Sequence, residues 1–105
     1  LRGEKMSFQV IHIFRRVNES IPWHIEYFSK LPKKRFEYIK AQETFKVSRT
    51  VLELDPLTLE VTQDWESEAL YLDYMQYPAV EGMQKEFDLY NQNNGITKES
   101  KMLTT

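Results

Sequence analysis

Residues 45–65, FKVSRTVLELDPLTLEVTQDW, carry the strongest structural signal in the chain. Thr44, Val47, Thr50, Val51, Thr58, Val61 and Thr62 are β-branched residues suited to a pleated surface, and Asp55-Pro56 interrupts them with turn chemistry. The pattern predicts two strands, over residues 45–54 and 57–65, joined as a hairpin. In the second strand Leu57, Leu59, Val61 and Trp65 share one face, and Thr58, Glu60, Thr62 and Asp64 share the other. A period of two over this length means one face against a core and one toward a different environment.

Upstream, residues 8–16 (FQVIHIFRR) form another β-branched and aromatic run, too short for a typical core helix. Phe8, Val10, His12 and Phe14 alternate with Ile11 and Ile13, which predicts a strand buried on both faces and ended at water by Arg15 and Arg16. Asn18-Glu19-Ser20 with Pro22 reads as a helix start, followed by Ile21, Ile25 and Phe28 at helical spacing with Trp23 and Tyr27 beside them. Pro32 interrupts this stretch. Beyond it the sequence allows either a resumed helix over residues 33–42, with Phe36 and Ile39 inward, or an irregular connection.

Downstream of the hairpin, Ser67 is placed to cap a helix whose first turn holds Glu68. Ala69, Leu72 and Met75 are spaced as its inward stripe, flanked by Leu70, Tyr71 and Tyr74, and Pro78 closes it. A further helix over residues 79–92 turns Val80, Met83, Phe87 and Tyr90 inward and ends at Asn94-Gly95. Residues 97–103 complete the pattern as a last strand. The order β-α-β-β-α-β describes an α+β, ferredoxin-like sandwich: a four-stranded antiparallel sheet with helices on one face, in a single domain over residues 6–105. Residues 1–5 are set aside as an appended remnant or a disordered N-terminus. The bare sheet face calls for a partner, and a second copy of the chain is the expected one.

Composition narrows the function. The chain has 105 residues, 14 Lys plus Arg against 16 Asp plus Glu, and no Cys. Without Cys there is no disulfide scaffold, no thiolate metal site and no thiol nucleophile. No apolar run approaches the roughly 18–20 residues of a membrane span, and the N-terminus lacks the apolar region of a secretory signal, so a cytoplasmic location without membrane contact is expected. A net charge of −2 argues against a module held to nucleic acid by phosphate neutralisation. An RNA-recognition module of the same element order needs stacking rings on its third strand, where this chain has Leu57-Thr58-Leu59-Glu60-Val61-Thr62. Three Gly cannot build a phosphate-cradling loop of the usual kinds. Six Tyr, six Phe and two Trp exceed what a minimal core needs, leaving rings for a pocket or an interface.

Asp64-Trp65-Glu66-Ser67-Glu68-Ala69, then Tyr71, Tyr74, Pro78-Ala79-Val80 and Asn94-Gly95-Ile96, resembles the antibiotic-biosynthesis-monooxygenase-like group of dimeric α/β barrels. The resemblance runs from Phe8 to Ile96 in element order and from Trp65 to Ile96 in local pattern. It implies a homodimer joined through the sheet faces, with a ligand pocket in each subunit between sheet and helices. Activities in that group include cofactor-independent oxygenation of quinols and polyketides, haem degradation and isomerisation, so the fold alone does not specify one. The haem-degrading branch carries an Asn on the first strand, a Trp nine residues beyond the strand-ending Trp and a His ten residues later. Here those positions hold His12, Tyr74 and Gln84, which rejects that branch, because Gln is a poor replacement for imidazole on haem iron.

His12 is the first candidate for chemistry. It interrupts an apolar strand where, by the resemblance, relatives place a polar pocket residue, and imidazole moves protons near neutrality. The plainer reading is a core histidine satisfied by a neighbouring hydroxyl or carbonyl. Tyr74 is the second, a phenol able to hold or deprotonate a substrate, with Phe14, Trp65 and Tyr71 as the ring-packing wall; the plainer reading of these is ordinary core. His24, off the apolar stripe, reads as a surface or rim residue. Asp64, Glu66 and Glu68 are explained by helix-end electrostatics, and Lys30, Lys33, Lys34 and Arg35 by a solvated helix face. Two histidines without a third clustered ligand make no metal site, and no cofactor is expected. Two functions remain open. One is a dimer binding a small aromatic ligand and oxygenating a phenol or quinol without metal or flavin. The other is a non-catalytic structural or sensing dimer with no pocket. A cavity of several hundred Å³ touching both His12 and Tyr74 would favour the first.

Overall fold

A computed structural model describes residues 7–104, so residues 1–5, with the expectation attached to them, lie outside the described residues. The chain forms β1 (Phe8–Arg15), α1 (His24–Tyr27) continued by a 3-10 turn (Phe28–Lys30), α2 (Pro32–Thr44), β2 (Ser48–Asp55), β3 (Thr58–Trp65), α3 (Glu68–Gln76), α4 (Pro78–Asn93) and β4 (Thr97–Thr104). The strands make one sheet in the order β2-β3-β1-β4 with every neighbour antiparallel. This is the expected α+β ferredoxin-like sandwich.

The hairpin forms where its pattern predicts. The Asp55 side chain accepts from the Leu57 N–H at 2.8 Å, and a bulge between Glu53 and Asp55 adjusts the register into the turn. Leu59, Val61 and Trp65 are buried together on the helix side of β3. At the chain's other turn, Gly95 takes φ +68°, the left-handed conformation that releases α4 into β4.

Several local expectations are corrected. The helix after β1 does not begin at Ser20: Asn18 closes an Asx turn on Ser20, and α1 starts at Trp23, whose N–H donates to the Glu26 carboxylate at 2.7 Å. Pro32 does end the first helical stretch, which stops at Lys30, and of the two alternatives beyond it the resumed helix forms, with Pro32 itself as the first residue of α2. Phe36 is 67% exposed and Ile39 sits near the surface, because α2 lays Tyr38 and Ala41 against the core. In α3 the inward residues are Tyr71 and Tyr74 rather than Ala69 and Leu72, since two large rings bury more area against Phe8 and Trp65. β1 is buried only on its helix side, with Ile11 and Ile13 half-buried on the bare face.

Arg16 does not end at water either. It is buried, donating Nε to the Pro56 carbonyl at 2.8 Å and Nη1 to the Ile21 carbonyl at 2.6 Å, with its guanidinium 4.2 Å from the Trp23 ring centroid. Trp23 Nε1 in turn donates to Glu53 at 2.9 Å. Tyr27 stacks on Tyr90, whose hydroxyl donates to the Pro22 carbonyl at 2.6 Å. These contacts pin α1, which carries His24, to the hairpin and to α4. Arg16→Met removes the donor from two carbonyls, so it should lower unfolding free energy by about 2–3 kcal/mol in urea denaturation at fixed protein concentration. A change under about 0.5 kcal/mol would mean Arg16 is not the lock.

Candidate functional site

Antiparallel pairing puts directly opposed residues on one face. His12 lies beside Ser100 and Val61, and one pleat further Val10 lies beside Gln63, itself opposite Arg49. Ser100, His12, Gln63 and Arg49 therefore run diagonally across the helix side of all four strands. This polar diagonal divides the core. Phe8, Val10, Trp65, Tyr71 and Tyr74 pack on one side of it, and Phe14, Leu59, Val61 and Ile96 on the other.

α1 and α4 close over the diagonal. His24 is 3% exposed, its ring 4.4 Å from Phe14 and 4.8 Å from Phe87 between centroids. The expectation of a rim histidine is thus wrong; the broken first helix turns this residue inward. His12, His24, Arg49, Gln63, Gln84 and Lys98, with Phe14, Tyr38, Val61 and Phe87, line a cavity of about 30 Å³, room for a water rather than a ligand. A second cavity of about 140 Å³ adjoins it, sharing Tyr38, Arg49 and Phe87 and otherwise lined by Ile25, Phe28, Arg35, Ile39, Gln42 and Met83. No Asp or Glu lines either one among the described residues.

Burial holds both imidazoles neutral. His12 is pushed down to about 4 by desolvation and by Lys98, with Asp88 opposing, while its Nδ1 lies 2.7 Å from Ser100 Oγ. His24 is pushed down to about 3 by desolvation and by Arg49, Lys98 and His12. Lys98 reaches Asp88 at 3.7 Å, so Asp88 attenuates that cation from α4.

The predicted site residues fall into two groups. His12 and Phe14 meet in the smaller cavity, their rings 6.0 Å apart. Trp65, Tyr71 and Tyr74 pack together beyond the diagonal, with Tyr74 4.7 Å from Trp65, and line neither cavity, so the expected large cavity touching both His12 and Tyr74 is not what forms: packing against Trp65 fills the space at Tyr74. Arg49 stands between the groups, near enough to bias the ionisation of both His24 and Tyr74. Burial drives the Tyr74 phenol far above its usual range and raises Tyr71 also, so Tyr74 keeps its proton at neutral pH. Arg49, Gln63 and His24 were missed by sequence reasoning. Gln63 had a signal, as a polar residue on the inward period of β3; Arg49 needed the cross-strand register, and His24 needed the helix break.

No family model and no curated protein sequence matches the chain. Among solved structures it is similar to a dimeric ferredoxin-like protein from an uncultured marine organism, at 10% identity and TM-score 0.65 over 95% of each chain. It is also similar to SnoaB, a cofactor-independent oxygenase from Streptomyces nogalater, at 10% identity and TM-score 0.61 over 94% of this chain and 92% of that one. A dimeric ferredoxin-like protein of unknown function from Thermobifida fusca is similar at 13% identity and TM-score 0.53, over 100% of this chain and 96% of that one. What is shared at such identity is the ferredoxin-like fold.

The two imidazoles set a pH dependence. Below an unfolded value of 6.5 the unfolded chain takes up protons that folded His12 and His24 refuse until about pH 4 and 3. Their contribution is therefore fully present above pH 6.5, and stability should fall as pH drops from there toward 4. Proton NMR should show both rings without titration between pH 8 and 5; a midpoint near 6.5 for His24 would contradict its burial.

Proposed function

We propose that this protein is a homodimer that binds a small phenol- or quinol-type ligand across the two cavities that adjoin at Arg49, with its reacting end toward His12, and oxygenates it without metal or flavin. The observation that carries this reading is a pair of neutral imidazoles facing Arg49 and Lys98 in a cavity whose lining, among the described residues, holds no carboxylate, with Asp88 pairing Lys98 from outside it. Such a site favours negative charge on the ligand. His12 accepts the phenolic proton as the phenolate forms, and pairing with that anion offsets the desolvation that otherwise keeps the ring neutral. Arg49 stabilises the phenolate and the charge delocalised onto the ring carbon. Dioxygen then delivers one oxygen atom to that carbon, the other leaves as water with the two displaced hydrogens, and the product is a quinone. Tyr74, protonated, backs the site through its contacts with Gln42 and Tyr38, and Trp65 and Tyr71 hold it there; Phe14 packs near the reacting ring. Ligand entry requires Arg49 to move so that the two cavities merge.

The second copy is assigned to the bare sheet face. Ile11, Ile13, Leu52 and Leu103 lie there among Thr50, Thr58, Thr62 and Thr97, with the Arg15–Glu99 pair, Glu60 and Lys101 around them. An apolar centre with a charged rim is the anatomy of a protein interface. The radius of gyration is 14.5 Å, against about 13 Å for a compact chain of this size, as suits half of a larger unit. The dimeric descriptions of two structural neighbours support the same assignment.

Sedimentation at micromolar concentration should give twice the 12.6 kDa chain mass, and the double substitution Ile11→Lys, Ile13→Lys should give the monomer. A wild-type monomer overturns the dimer. For the chemistry, an oxygen electrode with hydroquinones and single-ring phenols in the presence of a chelator should show turnover that His12→Ala lowers by roughly 10²-fold or more. Unchanged turnover removes His12 from the mechanism. Absence of both turnover and thermal stabilisation by these ligands would establish the non-catalytic module instead.

A further inference from the structure

Among the described residues, the buried side-chain atoms without a hydrogen-bond partner are His24 Nδ1, Gln42 Nε2, Arg49 Nε, Trp65 Nε1, Tyr74 OH and Asn91 Oδ1. Only the last is solely an acceptor. Arg49 Nε, Gln42 Nε2 and Trp65 Nε1 can only donate, and His24 and Tyr74 can each donate. Folded proteins rarely leave buried donors unmatched, and here they gather about one residue: Arg49 and Gln42 line the larger cavity, Arg49 and His24 the smaller, and Tyr74 lies near Arg49 and Gln42. The Tyr74 hydroxyl lies within side-chain hydrogen-bonding range of Gln42 and Tyr38 and can match the Gln42 donor, so the obligate donor left over at this junction is Arg49 Nε, with His24 Nδ1 beside it donating or accepting by tautomer.

The larger cavity supplies the rest of the description. Its volume is about 140 Å³, and an apolar cavity of about 150 Å³ accepts one benzene ring. Phe28, Met83 and Phe87 are buried at its wall, with Ile25 and Ile39 beside them, while Arg49, Gln42 and a second cation, Arg35, supply the polar part of the lining.

We infer that the ligand of this cleft is a single-ring aromatic carboxylate. Its ring occupies the chamber among Phe28, Met83 and Phe87, and its carboxylate accepts hydrogen bonds from Arg49 and Gln42, with His24 donating from the adjoining cavity. A carboxylate offers about four acceptor sites in one plane and suits a guanidinium in geometry as well as charge. A neutral quinol offers fewer acceptors and no charge. This inference rests on the proposed binding reading and narrows it: the carboxylate anchors the ligand at the junction of the two cavities.

The test is calorimetric titration of the intact protein with sodium benzoate, benzamide, 2-naphthoate and hydroquinone at pH 7. Benzoate should bind at least about tenfold more tightly than benzamide, its uncharged counterpart, and than 2-naphthoate, which exceeds the chamber. Arg49→Met should weaken benzoate by about tenfold or more, and Arg49→Lys should recover part of the loss. The wild-type comparison of benzoate with benzamide stands whether or not the Arg49 variants fold. Equal binding of benzoate and benzamide, or an Arg49→Met protein that folds and binds benzoate unchanged, overturns the inference. Hydroquinone binding without benzoate binding overturns it while leaving the proposed phenol or quinol site intact. Benzoate binding with no oxygen uptake on any phenol sustains the carboxylate site and removes the oxygenase reading.

Discussion

The register of β1 between β3 and β4 is the constraint on which the site depends. With a side-chain period of two, that register places positions 8, 10, 12 and 14 under the helices together. A slip of one residue would bury Gln9, Ile11, Ile13 and Arg15 instead and expose His12 to the opposite face. Because Phe8, Val10 and Phe14 lose most of their area to the core, the hydrophobic effect holds the register and His12 is carried inside with them. The buried imidazole is thus a consequence of three apolar neighbours on the same strand.

The polar diagonal that follows from this register is an unusual use of a small sheet. A domain of this size has little apolar area to spare, yet four inward positions are given to Ser100, His12, Gln63 and Arg49, and the core is split in two. Burying polar groups without matched partners opposes folding. The compensating burial comes from the surplus of rings on either side, with Trp65, Tyr71, Tyr74 and Phe45 on one flank and Trp23, Phe14 and Tyr90 on the other.

Much of the architecture was legible in the sequence. The alternation in residues 57–65 marked β3, Asp55-Pro56 marked the turn, Ser67 marked the start of α3 and Gly95 the end of α4, each through a local rule of backbone or side-chain geometry. Reading the helix faces was less successful. α2 carries charge on nearly every side, so its periodicity does not tell Tyr38 and Ala41 from Phe36 and Ile39. In α3, apolar spacing favoured Leu72, while packing against Trp65 selected the larger tyrosines.

For the candidate site the division is sharper. His12 and Phe14 could be named from β1 alone, because an imidazole in an apolar alternation is a local anomaly. Arg49, His24 and Gln42 could not, since they meet His12 only after the hairpin pairs, the first helix breaks at Trp23 and α2 folds back onto α4. The amino-acid sequence by itself determined which strands form and which of their faces turns inward, for those depend on side-chain period and turn chemistry. Only the tertiary structure decided which polar groups share one cleft and that Arg49 stands between its two cavities, because both depend on distances between segments far apart along the chain.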